Sequence, residues 1–150
     1  MDLLIRSARP EDIPALVDFN ARMALETEDL MLDLATLDAG VRAVLTDPAK
    51  GLYFVAELDR RVIGQLLITH EWSDWRNGDI WWIQSVYVHP DYRRRGVFRS
   101  LYRHVESLAR QSGVAMLRLY VYETNTVGQS TYRGLGMRMS HYRVMEQRLD

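Results

Sequence analysis

A short basic turn stands between a strand-like segment and a helical one. It places four arginines around one glycine and reads Arg93-Arg94-Arg95-Gly96-Val97-Phe98-Arg99. Arginines at the start of a helix oppose the positive end of the helix dipole unless an anion offsets them. Backbone N–H groups at a helix start bind phosphates, and Gly96 allows a ligand to approach the backbone closely. We therefore expect a polyanion here, and the alternative is a solvated basic turn.

Composition and charge exclude several kinds of protein. The 150 residues are 47% hydrophobic and include no cysteine, so a core can form, while disulfides, zinc–thiolate sites and cysteine nucleophiles are excluded. The net charge of -1 argues against a protein that coats nucleic acid or a membrane. We find no metal-ligand spacing and no apolar run near the ~18 residues that span a bilayer. Without cysteines or an N-terminal targeting segment, the chain is expected to be cytoplasmic.

The hydrophobic periodicity predicts a single α/β domain over residues 1–150, with the order β-α-α-β-β-β-α-β-α-β. An antiparallel meander that runs into a βαβ unit gives a mixed, mostly antiparallel sheet flanked by helices. The predicted elements are Leu3–Ser7, a helix from Pro10 to about Glu26, Asp33–Leu45, Leu52–Leu58, Val62–Thr69, Ile83–Val88 after a hairpin, Val97–Gln111, Ala115–Tyr122, Thr126–Gly134 and His141–Leu149.

The hairpin before the fourth long strand carries the dipeptide Asn77-Gly78. Between strand-like segments this dipeptide predicts a two-residue turn, because both positions need a positive φ. In that register Arg76 faces Asp79, and Glu71 lies opposite Gln84 on the same face of the sheet. A bulge in either strand would change these pairings.

The basic turn resembles the signature of the GCN5-related N-acetyltransferase (GNAT) superfamily, and the resemblance covers nearly the whole chain. The family pattern Arg/Gln-x-x-Gly-x-Gly/Ala is matched from Arg93 to Phe98, except that Phe98 replaces the second small residue. A second family run, Asn…Tyr-x-x-x-Gly-Phe, is similar to Asn125 and the later Tyr132-Arg133-Gly134-Leu135-Gly136-Met137, where Met137 replaces Phe. Both motifs occur in the family's order, which makes the combination specific.

The resemblance implies that the chain uses acetyl-CoA as cosubstrate, without a metal, in a gap beside the fourth strand. In the family the pantetheine arm pairs with that strand like an added strand. The pyrophosphate lies on the basic turn, and an asparagine contacts the pantetheine amide. The matching residues here are Val86, Tyr87, Val88, Arg93, Arg94, Arg95, Gly96, Val97, Phe98, Arg99 and Asn125.

The resemblance also implies transfer of the acetyl group to a small or peptide amine by direct attack in a ternary complex. Tyr132 occupies the position of the family's general acid, and a packing role is the alternative. Many members carry a titratable base where Gln84 stands, and Gln84 cannot titrate, although it can hold a water. Glu71, opposite Gln84 in the predicted hairpin, is the candidate base. An exposed strand-end carboxylate is the equal alternative.

The acceptor pocket implied by the resemblance lies between the loop of the first two helices and the third and fourth strands. Those segments hold carboxylates beside tryptophans, a combination that attracts a cationic amine. The equal alternative is that the tryptophans are buried in the core or at an interface between two copies of the chain. The candidate acceptor-binding residues are Glu26, Glu28, Trp72, Asp74, Trp82 and Gln84.

Two other functions compete with acetyl transfer. A GNAT-like fold can serve as an acyl-CoA-binding module with no or vestigial catalysis, which the untitratable Gln84 favours. A nucleic-acid binder is disfavoured by the near-neutral net charge and the single short basic turn. The sequence does not identify the acceptor or separate acetyl from longer acyl groups.

Overall fold

The computed structural model describes residues 2–150. The chain forms two compact units, the first ending at Tyr120 and the second comprising residues 121–150. The elements of the first unit are β1 (Leu3–Ser7), a 3-10 turn (Pro10–Asp12), α1 (Ile13–Glu28), α2 (Leu34–Thr46), β2 (Leu52–Leu58), β3 (Arg61–Ser73), β4 (Gly78–Val88), a second 3-10 turn (Pro90–Tyr92), α3 (Val97–Gln111) and β5 (Met116–Leu119). The second unit contains α4 (Thr126–Gly134).

The five strands form one sheet in the order β1-β2-β3-β4-β5. The first four strands pair antiparallel, whereas β5 runs parallel to β4. A parallel neighbour requires a crossover, which α3 supplies. The predicted α/β class, with a mixed and mostly antiparallel sheet flanked by helices, is confirmed.

Alternate residues of the central strands face two helical layers. Val55 is fully buried in one cluster with Leu16 of α1 and Val41 of α2. On the other face, a Cβ placed on Gly64 would lie 3.2 Å from a side-chain carbon of Val97 in α3. Gly64 therefore lets α3 approach the sheet closely.

The turn between β3 and β4 is longer than predicted. Ser73 pairs with Gly78, and residues Asp74–Asn77 form a loop in which the Arg76 N–H donates to the Ser73 carbonyl at 3.3 Å. Within the predicted dipeptide, Asn77 has a left-handed φ of 49°, while Gly78 already belongs to β4. The prediction of a two-residue turn is therefore wrong, because the bend is spread over four residues, of which the last has a left-handed φ.

The longer loop shifts the register of the two strands. Glu71 lies opposite Ile80 and not opposite Gln84. Asp79 lies in β4 while Arg76 lies in the loop, so their predicted cross-strand pairing is also wrong. A change in loop length moves every pair beyond it, and the predicted proximity of Glu71 and Gln84 is lost for this reason.

The predicted last strand, His141–Leu149, does not form, and this segment has no regular secondary structure. Its apolar side chains are exposed, including Met145 at 95% and Leu149 at 93%. Strand propensity produces a strand only where an edge and a buried face are available to pair and pack. The order of elements is confirmed from β1 through α4 and is wrong in its last element.

Candidate functional site

β4 separates from β5 halfway along its length. The parallel pairing ends at Ile83 and Leu119, and within residues 2–150 no strand takes over beyond that point. Residues Gln84–Val88 therefore present an open backbone edge, called here the open edge of β4. Strand backbone without a partner can hydrogen-bond an extended ligand.

A β-bulge bends β4 where the open edge begins. Gln65 pairs with Tyr87 and Leu67 with Gln84, so two residues of β4 oppose one residue of β3 between these pairs. The first of the two, Ser85, has a left-handed φ of 49°. A bulge of this kind bends its strand and increases the local twist, which explains why β4 leaves β5 at this position.

A buried polar group supports the bulge. Gln65 is fully buried, and its side-chain amide donates to the Ser85 carbonyl at 2.9 Å. Nearby in the core, the Asn20 amide donates to the Tyr53 hydroxyl at 3.2 Å, and burial raises the pKa of Tyr53. The core beneath the open edge is therefore not purely apolar but includes hydrogen-bonded polar side chains.

The basic turn leads into the start of α3 with two residues in the left-handed conformation. Arg94 and Gly96 have left-handed φ values of 63° and 79°, and the hydrogen bonds of α3 begin where the Ser100 N–H donates to the Gly96 carbonyl at 3.0 Å. Gly96 is the N-cap and has no side chain to accept from the first turn. Arg94 and Arg99 are exposed and make no ion pair within residues 2–150. This geometry suits a phosphate.

Arg93 has a different role from its neighbours. Its Nε donates to the Val88 carbonyl at 2.9 Å, and Nη2 forms a 2.9 Å ion pair with Glu26. The Tyr87 hydroxyl also donates to Glu26, at 2.8 Å, and these hydrogen bonds lower the pKa of Glu26. Two residues predicted for the cosubstrate and one predicted for the acceptor thus come together, joining the end of α1 to β4.

A second group of side chains lies on β3, β4 and β5. The Trp82 indole N–H donates to one oxygen of Glu71 at 2.9 Å, and Arg118 forms a 3.1 Å ion pair with the other. The Arg118 guanidinium carbon lies 5.9 Å from the centre of the Trp82 ring, and Tyr120 stacks on that ring at 4.5 Å. We call these four residues the Glu71–Arg118 cluster.

The remaining predicted acceptor residues lie apart from this cluster. Gln84 is on the same sheet face, but its amide donates to the Thr69 hydroxyl at 2.6 Å. Trp72 is 62% exposed and follows Glu71 in β3, so it points to the opposite face. Asp74 lies in the hairpin loop and Glu28 is the exposed last residue of α1.

Burial in the core, one of the alternatives for the tryptophans, is observed for one of the four rings. Trp81 is buried in the core beside His70, whereas Trp75 in the hairpin loop is 88% exposed. The exposed rings therefore stand at the tip of the hairpin, away from the sheet core.

The second unit holds the other two predicted site residues. Asn125 is the N-cap of α4, and its side-chain oxygen accepts from the Gly128 N–H at 2.9 Å. Tyr132 lies on α4, and burial raises its pKa. Asn125 thus has a capping role of its own in starting α4.

Sequence reasoning missed Gln65, Arg118 and Tyr120. Gln65 and Arg118 share one signal, since each is a polar residue in the middle of an otherwise apolar strand. A polar side chain at such a position usually has a specific partner. Tyr120 carries no comparable signal, because an aromatic residue is ordinary at a strand end.

A surface cavity of about 460 Å³ lies elsewhere, lined by residues that include Arg22, Arg60, Arg61 and His89. None of the predicted site residues lines it. Within residues 2–150, no group of three or more histidine, aspartate or glutamate side chains is placed to hold a metal ion. In the same residues, no helix is both long and apolar enough to cross a membrane.

One protein family and two solved structures resemble this chain over most of its length. Residues 17–137 match the Acetyltransferase (GNAT) family. A possible acetyltransferase from Clostridium difficile 630 is 39% identical, with a TM-score of 0.92 over 99% of this chain and 98% of that one. A Trypanosoma brucei acetyltransferase superimposes with a TM-score of 0.76 at 22% identity, covering 99% and 100% of the two chains, and so shows the fold alone.

A curated relative matches over a shorter stretch. The thialysine N-epsilon-acetyltransferase of Bos taurus is 31% identical over 75 residues, which is 50% of this chain. The match spans only 44% of that enzyme's length.

Proposed function

Because this chain belongs to the acetyltransferase (GNAT) family, we propose that it transfers an acetyl group from acetyl-CoA to an amine. The transfer occurs by direct attack in a ternary complex, and residues 1–150 act as one domain. The observation that carries this proposal is the open edge of β4, followed after the connection of residues 89–96 by the uncapped, arginine-rich start of α3. A strand edge and an anion site in this order suit an extended amide arm that ends in a diphosphate.

The residues of this unit fit acetyl-CoA, which supplies the acetyl group as a thioester. In the proposal, the backbone of Val86, Tyr87 and Val88 pairs with the pantetheine arm. The first-turn N–H groups of α3, together with Arg94 and Arg99, bind the pyrophosphate. Support comes from the positive φ angles of the turn and from the absence of a capping side chain.

Arg93 contributes indirectly in this proposal. Its ion pair with Glu26 and its hydrogen bond to the Val88 carbonyl hold the end of β4 in place, so the remaining arginines of the turn are left for the phosphates. Glu26 is then a structural partner of Tyr87 and Arg93 and not a ligand of the acceptor.

We propose that Tyr132 is the acid that protonates the departing thiolate. The support is the match to the family motif, and a tyrosine phenol is protonated at neutral pH, as an acid must be. The N–H near Val86 polarises the thioester carbonyl. Asn125 contacts the pantetheine amide in addition to capping α4.

The attacking amine must lose a proton, since a primary amine is mostly protonated at neutral pH. Glu71 was the candidate base, but both of its oxygens already accept hydrogen bonds, from Trp82 and Arg118. Accepting a proton would neutralise the carboxylate and weaken its ion pair with Arg118. We therefore assign proton removal to a water held by the Gln84–Thr69 pair, whose two side chains are joined at 2.6 Å.

One of the matched relatives suggests a class of acceptor. The matched relative acts on thialysine, an amino acid with a side-chain amine, which makes lysine-like amines the first acceptors to test. An acyl-CoA-binding module remains the second candidate, because Gln84 cannot act as a base.

The test is a thiol-release assay with acetyl-CoA and a panel of amines, amino acids and peptides. The protein has no cysteine, so every thiol detected comes from the cosubstrate. Amine-dependent release supports the enzyme. Tight CoA binding, measured by calorimetry, with no release above the uncatalysed rate on any acceptor would favour the binding module.

A further inference from the structure

We propose that the Glu71–Arg118 cluster binds an acceptor that carries both an ammonium and a carboxylate group, that is, an amino acid with a second amine. The inference rests on the proposed acetyl transfer and names the substrate class for it. Arg118 holds the carboxylate, and Glu71 holds the ammonium that is not acetylated. Trp82 and Tyr120 form the floor between them.

The charge of the cluster points to a zwitterion. Glu71 and Arg118 form an ion pair, so the cluster has no net charge. A simple cation would be attracted by Glu71 and repelled by Arg118 about equally. A zwitterion can place its carboxylate at Arg118 and its ammonium at Glu71, so each charge of the ligand gains a partner of opposite sign.

The cluster is accessible to such a ligand. The side chains of Glu71 and Arg118 are 41% and 23% exposed, and Tyr120 is 60% exposed. Arg118 is bound to Glu71 in this structure, and the substrate groups share or replace that contact. Because both charges are paired before and after binding, the exchange leaves no buried charge without a partner.

The position of the cluster suits a second amine at some distance from the zwitterionic end. Trp82 and Arg118 are register partners, one pair before the last β4–β5 pair at Ile83. Gln84, at the beginning of the open edge, lies two residues along β4 from Trp82, or about 6.6 Å. An extended lysine-like side chain bridges this distance and brings its terminal amine to the Gln84–Thr69 pair.

Stability alone does not explain the ion pair. Partly exposed ion pairs contribute only about 0–1 kcal/mol, and Arg118 is the charged residue of the strand Met116–Leu119. For the same reason, Arg118→Gln is expected to fold.

The experiment compares acceptors that differ by one group. L-lysine and cadaverine are both offered at saturating acetyl-CoA, since cadaverine is lysine without its carboxylate. We expect kcat/KM for lysine to exceed that for cadaverine at least tenfold. Arg118→Gln should lower the lysine value at least tenfold, mainly through KM, and should raise the cadaverine value, because Glu71 then attracts the second ammonium of cadaverine without the opposing charge of Arg118. Arg110→Gln, which removes an exposed arginine of α3, is the matched control and should preserve the ratio.

A binding measurement separates this inference from the proposed function. Calorimetric titration of L-lysine into the CoA-bound protein should give saturable binding that Arg118→Gln weakens at least tenfold. If no amine is acetylated but this binding is present, acetyl transfer fails and the zwitterion site stands. The inference is overturned if cadaverine matches lysine in the unsubstituted protein, or if Arg118→Gln lowers both acceptors equally.

Discussion

The fully buried amide of Gln65 donates a 2.9 Å hydrogen bond to the carbonyl of Ser85, which has a left-handed φ of 49°. This contact joins the centre of β3 to the bulge that turns β4 away from β5. A left-handed φ on a residue other than glycine costs about 1 kcal/mol or more, so the bulge needs support from its surroundings. Gln65 supplies that support from the core.

We expect Gln65→Met to damage binding of acetyl-CoA beyond its effect on stability. The substitution leaves the Ser85 carbonyl without its partner and should lower the free energy of unfolding by about 1–3 kcal/mol. Because the bulge shapes the open edge of β4, KM for acetyl-CoA should rise severalfold while the acceptor KM changes less. Ile68→Met, at a fully buried position of the same strand, is the control, and an equal rise in KM there would assign Gln65 to packing alone.

Gly96→Ala should weaken CoA binding. The residue has a φ of 79°, and an added Cβ would meet no protein atom within 4 Å, so the penalty is conformational, about 1–2 kcal/mol. The methyl group would also stand at the proposed phosphate site. The expected result by calorimetry is a dissociation constant for CoA raised about tenfold or more, equivalent to 1.4 kcal/mol.

Gly40→Ala is the matched control for that substitution. Gly40 lies in α2, also with no atom within 4 Å of an added Cβ, and alanine is favoured over glycine in a helix by about 1 kcal/mol. Its thermal midpoint should rise and its CoA affinity should not change. Unchanged CoA affinity in Gly96→Ala would remove the turn from the proposed site.

Tyr132→Phe should lower kcat at least tenfold while CoA affinity changes less than twofold. The substitution removes the proton donor but keeps the aromatic ring. Tyr102→Phe in α3, where burial likewise raises the tyrosine pKa, is the control and should retain activity. Steady-state kinetics with calorimetry makes the comparison, and parallel losses of kcat and affinity would indicate packing as the role of Tyr132.

Stability should depend on pH through Asp12. Burial acts to raise the pKa of Asp12, but hydrogen bonds from Arg6 and from the Arg9 N–H outweigh it, so the pKa is lowered. A group with a lowered folded-state pKa stabilises the protein above its unfolded pKa of about 3.9, and this contribution is lost as pH falls through the folded-state pKa.

Asp12→Asn tests that dependence. It should cost about 1–3 kcal/mol at pH 7, because it removes a 2.7 Å ion pair with Arg6, and should flatten the decline of stability below pH ~4. Urea unfolding at several pH values measures this. Asp38→Asn, which removes an exposed ion pair in α2, is the comparison. Equal acid slopes for the unsubstituted protein and Asp12→Asn would contradict the assignment.

The parts of the fold that could be predicted depend on local sequence. The helices follow from apolar periodicity, and the turn before α3 follows from Gly96, because helix starts and glycine conformations are local properties. The prediction of the last strand is wrong for the opposite reason. Its pattern in His141–Leu149 is strand-like, but a strand needs a partner that local sequence does not supply.

The register in which the strands pair could not be predicted from the sequence either. The two-residue turn with positive φ at both positions occurs at Asp59 and Arg60, which lack the glycine that marks such turns, and not at Asn77-Gly78. Glu71 therefore meets Arg118 and Trp82, and Gln65 meets Ser85, through pairings that depend on loop lengths and a bulge. These are properties of the assembled sheet.

In the proposed reaction, the acetyl group moves from CoA to an amine nitrogen on this protein. The most direct measurement incubates the protein with L-lysine and acetyl-CoA that carries an isotope label in the acetyl group, and then examines the amine by mass spectrometry. We expect labelled acetyl on the lysine side-chain nitrogen at a rate that depends on Tyr132, with one free CoA thiol formed per acetyl transferred. Binding of acetyl-CoA without labelled product on lysine or on any other amine tested would contradict it.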